Sequence, residues 1–390
     1  MTNSGLDEVP TQILLTCFRG RKEEHMIKRM HGIDRHKLYS TIVVMDREGA
    51  AIKIMRRCVD LEAYIQGLNE EDAVVMESSN GAFYWADRVE RQGAQAYIVD
   101  TRKFKLIKDT WKKTDKEDAK NLAWGLWVHL MSADHQLPLV AKTDYQNREL
   151  RRLFVQYRLL NEQVVRLKTI TQASLSDVGI VLKSEQKDIL FHEKKGKAFL
   201  QTLSATPATL LSIGMNLDMV WVLEKNKETL KIEILHCGAH LQEDVELLMS
   251  IKGVSPLVAL AFLADVWDIT RFSSQRKLNA YVGVVPNAKI SGGKDRSGHI
   301  CRASRNLTRW ILSQSIPHIT NSSPVMQKYY AELMQRRGVG RARIAVIRRT
   351  VGIMRRILLS RKKYTWCDEV SLASKLSDYR RRLRRIQIAS

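Results

Sequence analysis

The order of apolar patterns between residues 26 and 125 is the feature that most constrains the fold. Three strand-like runs come first, and the remainder alternates helix, strand, helix, strand, helix. The strand-like runs are MIKRMHGID, LYSTIVVMD, AIKIMRRCV, DAVVMES and QAYIVD, and the helix-like runs are LEAYIQGL, FYWADRVERQG and KEDAKNLAWGLWVHL. Strands that alternate with helices favour a parallel or mixed sheet covered by helices. We therefore predict an α/β domain over residues 26–140, preceded by an N-terminal extension, residues 1–25.

The rest of the chain reads as all-α. One helix carries apolar residues at alternating spacings of three and four, which is typical of a coiled coil. These residues are Leu150, Leu153, Tyr157, Leu160, Val164 and Leu167. A second helix is expected from about Leu217 to Met249, with SATPATLLSIG as the turn and linker between them. The two helices form either an antiparallel hairpin or an intermolecular contact, and the pattern leaves both open.

Three further parts follow from these patterns. We predict a helical, coiled-coil linker at 141–245, a mainly helical domain at 246–335 and a basic helical extension at 336–390. The stretch LLMSIKGVSPLVALAFLADV, residues 247–266, resembles a helix–hairpin–helix, whose turn offers backbone N–H groups to a phosphate. Ser255 replaces the usual second glycine, so an ordinary packing unit of two helices is the alternative.

The composition of the chain indicates which class of partner it binds. The formal net charge is +22, and residues 336–390 hold 17 Lys and Arg against three acidic residues. Such a field attracts polyanions, which favours nucleic acid as the partner. The longest uncharged apolar run, Pro256–Ala264, is too short to cross a bilayer, and the polar, acidic N-terminus is unlike a signal peptide. Five scattered cysteines predict no disulfide framework, which indicates a reducing cytoplasm.

Four acidic residues are predicted at element ends in the α/β domain. Asp34 and Glu77 end strands, and Asp115 and Asp118 open the last helix. Strand ends converge at one edge of an α/β sheet, and carboxylates that meet there repel unless cations join them. Oxygen ligands of this kind suit Mg²⁺ or Mn²⁺, and paired metals serve phosphodiester chemistry. Helix capping by the sequence TDKE is the alternative explanation for the acids at 115 and 118.

These acids stand within a larger resemblance. GIDRHK at 32–37, ES at 77–78 and KTDKEDAKNLA at 113–123 resemble the DEDD domain of the Piv-like insertion-sequence transposases, the bridge-RNA-guided serine recombinases. The resemblance implies an RNase H-like domain of the Holliday-junction-resolvase type. It also implies that Asp34, Glu77, Asp115 and Asp118 bind the metals and are catalytic.

A second region, YVGVVPNAKISGGKDRSGHICRASRNLTRWIL at 281–312, resembles the C-terminal transposase domain of the same family, and IKGVSP at 251–256 also matches. The resemblance makes Ser291 the nucleophile, ahead of its rivals Ser297 and Ser304. Nearby glycines and cations are expected to approach phosphates. The predicted nucleic-acid-binding residues are Lys113, Gly292, Gly293, Lys294, Arg296, Arg302 and Arg309. His31, His36 and His299 are expected to pack or hydrogen-bond rather than to catalyse.

The resemblance implies a DNA recombinase that cuts and exchanges strands through a phosphoserine link. The expected partners are donor and target DNA, a structured bridge RNA and further copies of the chain, as a dimer or tetramer, in the nucleoid. Three alternatives stay open. They are a junction nuclease that uses water, a Piv-like invertase without guide RNA, and a non-catalytic nucleic-acid scaffold.

Overall fold

The computed structural model describes residues 27–100, 102–104, 114–132, 136–291, 294–300 and 306–389, with backbone alone for 286–300 and 389. The chain divides into two compact units between Lys142 and Thr143.

The first unit has the predicted order of elements. They are β1 (Arg29–Arg35), β2 (Ser40–Met45), β3 (Ala51–Cys58), α1 (Leu61–Gln66), β4 (Asp72–Glu77), α2 (Ala82–Arg91), β5 (Gln95–Val99) and α3 (Asp115–Met131). The five strands form one mixed sheet in the order β3-β2-β1-β4-β5. Strands β1, β4 and β5 run parallel, and β2 and β3 join as an antiparallel meander. This confirms the mixed α/β class.

The helices cover both faces of this sheet. Helices α1 and α2 pack on one face, where Ile33 and Met76 lie in the core. Helix α3 packs on the other face, where Leu122 and Leu126 meet Val75 and the neighbouring strand residues. The two faces alternate along each strand because successive side chains point in opposite directions. Gly32 and Asp34 therefore face α3, whereas His31 and Ile33 face α1 and α2.

The second unit is mostly helical. Its helices are α4 (Tyr145–Asp177), α5 (Ser184–Leu190), α6 (Gly196–Gln201), α7 (Pro207–Cys237), α8 (Gln242–Leu248), α9 (Pro256–Val266), α10 (Gln275–Tyr281), α11 (Leu307–Thr320), α12 (Pro324–Ser360) and α13 (Glu369–Ala389). Two strands, β6 (Pro286–Ser291) and β7 (Lys294–Ile300), pair antiparallel between α10 and α11. A hairpin at this point was not expected in a domain predicted to be mainly helical.

Helices α4 and α7 pack against each other as an antiparallel hairpin within the chain. Leu150 near the start of α4 shares a core with Ile234 near the end of α7, and Leu175 near the end of α4 shares one with Ile213. Whether further copies of the chain assemble through this region stays a prediction.

The predicted bounds of the second long helix were wrong. It starts at Pro207, ten residues before Leu217, because Thr206 caps its N-terminus and Pro207 suits the first helical turn. It ends at Cys237 rather than at Met249. Gly238 follows, and a Cβ there would lie 2.5 Å from Leu260 Cδ2, so α9 occupies the space that a larger residue would need.

The basic C-terminal region is part of the second unit's core rather than a solvated tail. Val346, Met354 and Leu383 are buried in the same core as residues of α4 and α9. Helix α12 contains a break at Gly338, whose φ of 76° lies outside the helical region. In the described part of the chain, no helix combines the length and the apolar character needed to span a bilayer.

Candidate metal centre and nucleic-acid-binding residues

Strand register places two of the predicted acids side by side. Ile33 on β1 pairs with Met76 on the parallel strand β4, so Asp34 and Glu77 are the next residues of neighbouring strands at the same sheet edge. Asp34 is 9 % exposed, and Glu77 is half-buried. Because paired residues on parallel strands share a face, both belong to the α3 face of the sheet. We call this edge, with Asp34, Glu77, Asp115 and Asp118, the acidic edge.

Gly32 brings α3 onto this edge. A Cβ at position 32 would lie 2.1 Å from the Ala119 carbonyl oxygen and 2.4 Å from Ala123 N. No residue larger than glycine allows the helix to approach β1 so closely. Ala119 and Ala123 are themselves buried against Val43 and Met45 of β2. Since Asp115 precedes Ala119 by about one helical turn, the first turn of α3 lies over the end of β1.

Helix capping explains only part of the acidic character of this first turn. Thr114 is the N-cap and accepts a hydrogen bond from Glu117 N at 3.3 Å, as the TDKE pattern predicted. Thr114 and Glu117 account for the cap, and acidic residues near it also suit the helix dipole. Asp118 is 9 % exposed, which capping alone does not require.

His36 contacts two of the acids at the acidic edge. Its Nε2 atom lies 3.1 Å from Asp34 Oδ2 and 3.2 Å from Asp115 Oδ2. Tyr39 donates a hydrogen bond to the same Asp115 oxygen at 3.0 Å. One ligand atom each from Asp34, His36 and Asp115 lies within 4.8 Å of the other two. This spacing is suitable for a single metal ion.

The electrostatics of Asp34 indicate that the acids crowd one another. Burial raises the pKa of Asp34, the negative charges of Asp118 and Asp115 raise it further, and His36 opposes the rise. Two like charges in one site disfavour ionisation of both unless a cation joins them. Asp118 thus acts electrostatically on Asp34, and strand register places Glu77 at the same sheet edge, but neither is among the three residues at ligand spacing.

His36 is the residue that sequence reasoning missed as a member of this cluster. It was expected to pack or to hydrogen-bond, and it does contact two carboxylates. The signal that could have identified it is its position two residues after Asp34, just beyond the end of β1. His31, by contrast, has the expected structural role on the other face. It is buried, with Nδ1 2.6 Å from the Tyr64 hydroxyl and Nε2 2.9 Å from Asp72.

The predicted nucleophile lies at the end of a strand in the second unit. Ser291 is the last residue of β6, and its backbone pairs with Lys294 on β7. Arg296 and the rival Ser297 also lie on β7. The side chains of this hairpin are outside the described part of the molecule. The predictions for Lys113, Gly292, Gly293, Arg302 and Ser304 fall on residues outside the described ranges.

Arg309 is the predicted phosphate-binding residue whose side chain is described. It lies in the first turn of α11, and its Nη1 donates a hydrogen bond to the Gly283 carbonyl at 2.6 Å. This contact ties α11 to the turn that precedes β6. Arg309 therefore has a structural role in the region of the hairpin, and its phosphate contact stays a prediction.

A buried aspartate, also missed from the sequence, fixes the start of α11. Asp265 is 1 % exposed and accepts hydrogen bonds at Oδ2 from Thr308 N at 3.1 Å and from Thr308 Oγ1 at 2.9 Å. Burial raises the pKa of Asp265, while Arg151 and the two Thr308 hydrogen bonds oppose the rise. The single acid in the apolar run PLVALAFLADV was the available signal. It holds the helix that follows the β6–β7 hairpin.

Comparison with known protein families agrees with both regions. Residues 31–180 match the DEDD transposase model of the IS110 group, which contains the acidic edge. Residues 245–331 match the transposase model of the IS116/IS110/IS902 family, which contains the β6–β7 hairpin. Together, a mixed α/β unit with an acidic edge and a helical transposase unit define an insertion-sequence transposase.

Two curated relatives are similar over most of their length. The transposase for insertion sequence element IS1111A of Coxiella burnetii is 24 % identical over 362 residues, which is 90 % of this chain and 95 % of the relative. A probable family 20 transposase of Pseudomonas aeruginosa is 21 % identical over 336 residues, 84 % of this chain and 92 % of the relative. The chain belongs to the IS110 family of insertion-sequence transposases.

Proposed function

We propose that this transposase is a metal-dependent DNA recombinase that exchanges strands through a covalent link to Ser291. The observation that carries the proposal is the cluster of Asp34, His36 and Asp115 at ligand spacing, with Asp118 close enough to raise the Asp34 pKa. A crowded set of carboxylates in an IS110 transposase is best explained by a divalent cation that it binds.

We also infer that the first unit is RNase H-like, of the resolvase type. Its sheet order β3-β2-β1-β4-β5, with an antiparallel β1–β2–β3 meander and parallel β1, β4 and β5, supports this inference. Asp34 at the end of the central strand β1 is consistent with a site at the carboxyl edge of that sheet.

The donor set fits Mg²⁺ or Mn²⁺, which prefer carboxylate oxygens. Asp34, Glu77, Asp115 and Asp118 would hold the ions, with His36 beside two of them. When bound, such ions supply positive charge to the phosphate oxygens as a phosphodiester bond breaks. The acids of the chain hold that charge at one edge of a rigid sheet, and Gly32 sets the distance between strand and helix.

The serine provides the covalent step. The Ser291 Oγ–P bond forms as one P–O bond of the DNA strand breaks; the serine proton is released, and the departing DNA oxygen takes up a proton. One phosphodiester replaces another, so the strand can be resealed without ATP. The predicted contacts of Lys113, Gly292, Gly293, Lys294, Arg296, Arg302 and Arg309 would neutralise and orient the phosphates.

Recombination joins two duplexes, so we expect donor and target DNA and an even number of subunits, a dimer or tetramer, in the nucleoid. A structured bridge RNA would choose the sites by base pairing. In that case the protein needs to read only backbone and shape, which suits its strongly basic surface.

The decisive experiment compares Ser291→Ala and Asp115→Asn in a plasmid recombination assay with donor, target and co-expressed RNA, and traps protein–DNA adducts by denaturation. We expect both variants to lose recombination and adduct. Unchanged cutting by Ser291→Ala would favour the junction nuclease that uses water. Unchanged activity of Asp115→Asn would contradict the metal centre and favour the scaffold.

The guide is tested separately. Sequencing of the RNA that co-purifies with the protein is expected to return one structured species from the same insertion sequence. Recombination by RNA-free protein would favour the invertase that recognises DNA directly.

A further inference from the structure

The turn between α8 and α9 opens onto a cleft that no part of the proposed function uses. The cleft has a volume of about 720 Å³. Its walls are the α8–α9 turn, one face of α11 and one face of α13, with parts of α4 and α7. We call it the turn cleft. It lies wholly within the second unit, and α13 from the basic C-terminal region forms one wall.

Three of the four Lys and Arg side chains that line this cleft have no carboxylate partner in the described part of the chain, and the fourth, Lys231, is paired with Glu228. Lys252 comes from the turn, and Lys375 and Arg382 come from α13. Within the described ranges, none of the three has a carboxylate at ion-pair distance. The acid on the wall, Asp378, accepts a hydrogen bond from Arg381 Nη2 at 2.7 Å.

Two other cations near the cleft are ion-paired. Arg380 is paired with Glu246 of α8, and Arg361 with Glu243 and Asp244. These ion pairs attach the C-terminal region to α8 and place α13 beside the turn. These paired cations hold the C-terminal region on α8, whereas, among the described residues, Lys252, Lys375 and Arg382 line the cleft without an ion pair.

The turn adds uncharged donors. Gly253 has a φ of +89°, and a Cβ there would lie 2.8 Å from His318 Cβ, so the turn is held tightly against α11. Among the described residues, the backbone N–H groups of Lys252, Gly253 and Ser255 donate to no acceptor. Exposed amides at a turn that leads into a helix N-terminus form an anion site.

A buried hydroxyl in the cleft wall also lacks a partner. Tyr379 is 1 % exposed, and its hydroxyl has no hydrogen-bond partner in the described structure. An unsatisfied buried donor costs free energy, which points to a ligand that binds at this wall. Burial lowers the pKa of Lys375, Cys367 and Asp368 oppose the change, and the positive charge of Lys252 adds to it. A bound anion would offset the cost of burying the Lys375 charge.

We propose that the turn cleft binds the phosphate backbone of duplex DNA. Lys375 and Arg382 are seven residues apart on α13, which is about 10 Å along the helix axis. A DNA strand carries one phosphate about every 3.4 Å along the duplex axis, so one strand can bring different phosphates to the two cations. The site is sequence-independent, because its donors are cations and amides with no planar pair to read a base edge.

The test is a titration of labelled duplex DNA with the full-length protein in EDTA at several salt concentrations. Lys252→Ala and Lys375→Ala are each expected to lower the affinity. Each is also expected to reduce the slope of log affinity against log salt by about 0.9, the value for one lost phosphate contact. The matched control is Arg384→Ala, which removes an exposed cation from the opposite face of α13, about two and a half turns along the helix from Lys375. The control slope is expected to match that of the parent.

Three results would overturn the inference: an unchanged slope for both cleft variants, an equal loss in Arg384→Ala, or a loss for single-stranded RNA with duplex DNA binding intact. Thermal unfolding checks the fold, and Lys375→Gln retains most of the aliphatic stem if Lys375→Ala unfolds. The assay contains no divalent cation and no strand exchange, so a failure of the proposed metal centre or of Ser291 leaves its outcome unaffected.

Discussion

The acidic edge and the turn cleft both hold like charges close together, but the charges are negative at the first site and positive at the second. At the acidic edge, burial raises the pKa of Asp34, and the negative charges of Asp118 and Asp115 raise it further. At the turn cleft, burial lowers the pKa of Lys375, and the charge of Lys252 adds a smaller effect that Cys367 and Asp368 oppose. In both places the fold holds like charges close and so loses stability, which a ligand of opposite charge would restore. The contrast matches the two proposed tasks, which are to bind a metal ion at the acidic edge and DNA phosphates at the turn cleft.

Asp72 is a buried carboxylate whose hydrogen-bond and ion-pair partners all come from the protein itself. It lies at the start of β4, at the opposite end of the strand from Glu77, and it is fully buried. Arg29 Nε donates to it at 2.6 Å, Asn69 N donates at 2.8 Å, and His31 Nε2 lies 2.9 Å away. Burial raises the pKa of Asp72, but these partners outweigh burial and hold the pKa well below its ordinary value.

Asp115→Asn is expected to have the largest effect, and its two readouts should move in opposite directions. DNA cleavage should fall about a thousandfold or more, because several kcal/mol of charge stabilisation at the phosphate are lost. The metal-free protein should unfold at a higher temperature, because one repelling charge is gone. Cleavage rates and melting curves with and without Mg²⁺ measure both. Glu117→Gln, in the same helical turn, is the control and should retain cleavage.

Asp72→Asn should destabilise the protein by about 3 kcal/mol at neutral pH, since it removes a buried carboxylate that partners the half-buried Arg29 and the buried His31. The folded pKa of Asp72 is lowered, so its contribution is present above the unfolded pKa of about 3.9 and is lost as pH falls below that value. Denaturant titrations at pH 7 and pH 3 measure this. The gap between parent and variant should narrow at pH 3; a constant gap would contradict the ionic explanation.

Gly32→Ala should move α3 without removing any acidic residue, and it therefore tests whether the position of this helix sets the proposed metal site. The added methyl meets the Ala119 carbonyl and Ala123 N, and overpacking of this kind costs about 1–3 kcal/mol. The helix must shift, so Mg²⁺ should raise the melting temperature less than it does in the parent. Gly340→Ala, in α12, is a matched control, because a Cβ there has no atom within 4 Å and the residue has no positive φ. An unchanged Mg²⁺ response in Gly32→Ala would show that the helix position does not set the metal site.

Arg361→Ala should have the smallest effect. Its ion pairs with Glu243 and Asp244 are exposed, and such pairs contribute about 1 kcal/mol or less. The salt dependence of DNA binding should be unchanged, in contrast to Lys375→Ala. Anisotropy and chemical denaturation check the two quantities. A reduced salt slope in Arg361→Ala would mean that paired cations also contact DNA, and the distinction between paired and unpaired charge would fail.

Much of the first unit was predictable because its elements are short and its patterns are local. The five strands and three helices follow in the expected order, and the acids lie at the expected element ends. The second unit was harder to predict. The pattern of α4 left its partner open, and helix periodicity alone did not show that α7 ends at Cys237, where Gly238 packs on Leu260. The β6–β7 hairpin lies in a stretch of alternating small and charged residues with weak strand character.

The sequence by itself determined the element types, the placement of carboxylates at strand and helix ends, and the basic character of the C-terminal region. Periodicity, capping and charge are local properties, so a linear pattern can carry them. Only the tertiary structure decided that His36 joins Asp34 and Asp115, that Asp265 holds α11, and that α13 closes a cleft beside the α8–α9 turn. These contacts depend on how segments that are distant in the sequence pack together. At Gly32, for example, the close approach of α3 to β1 determines which side chains come into contact.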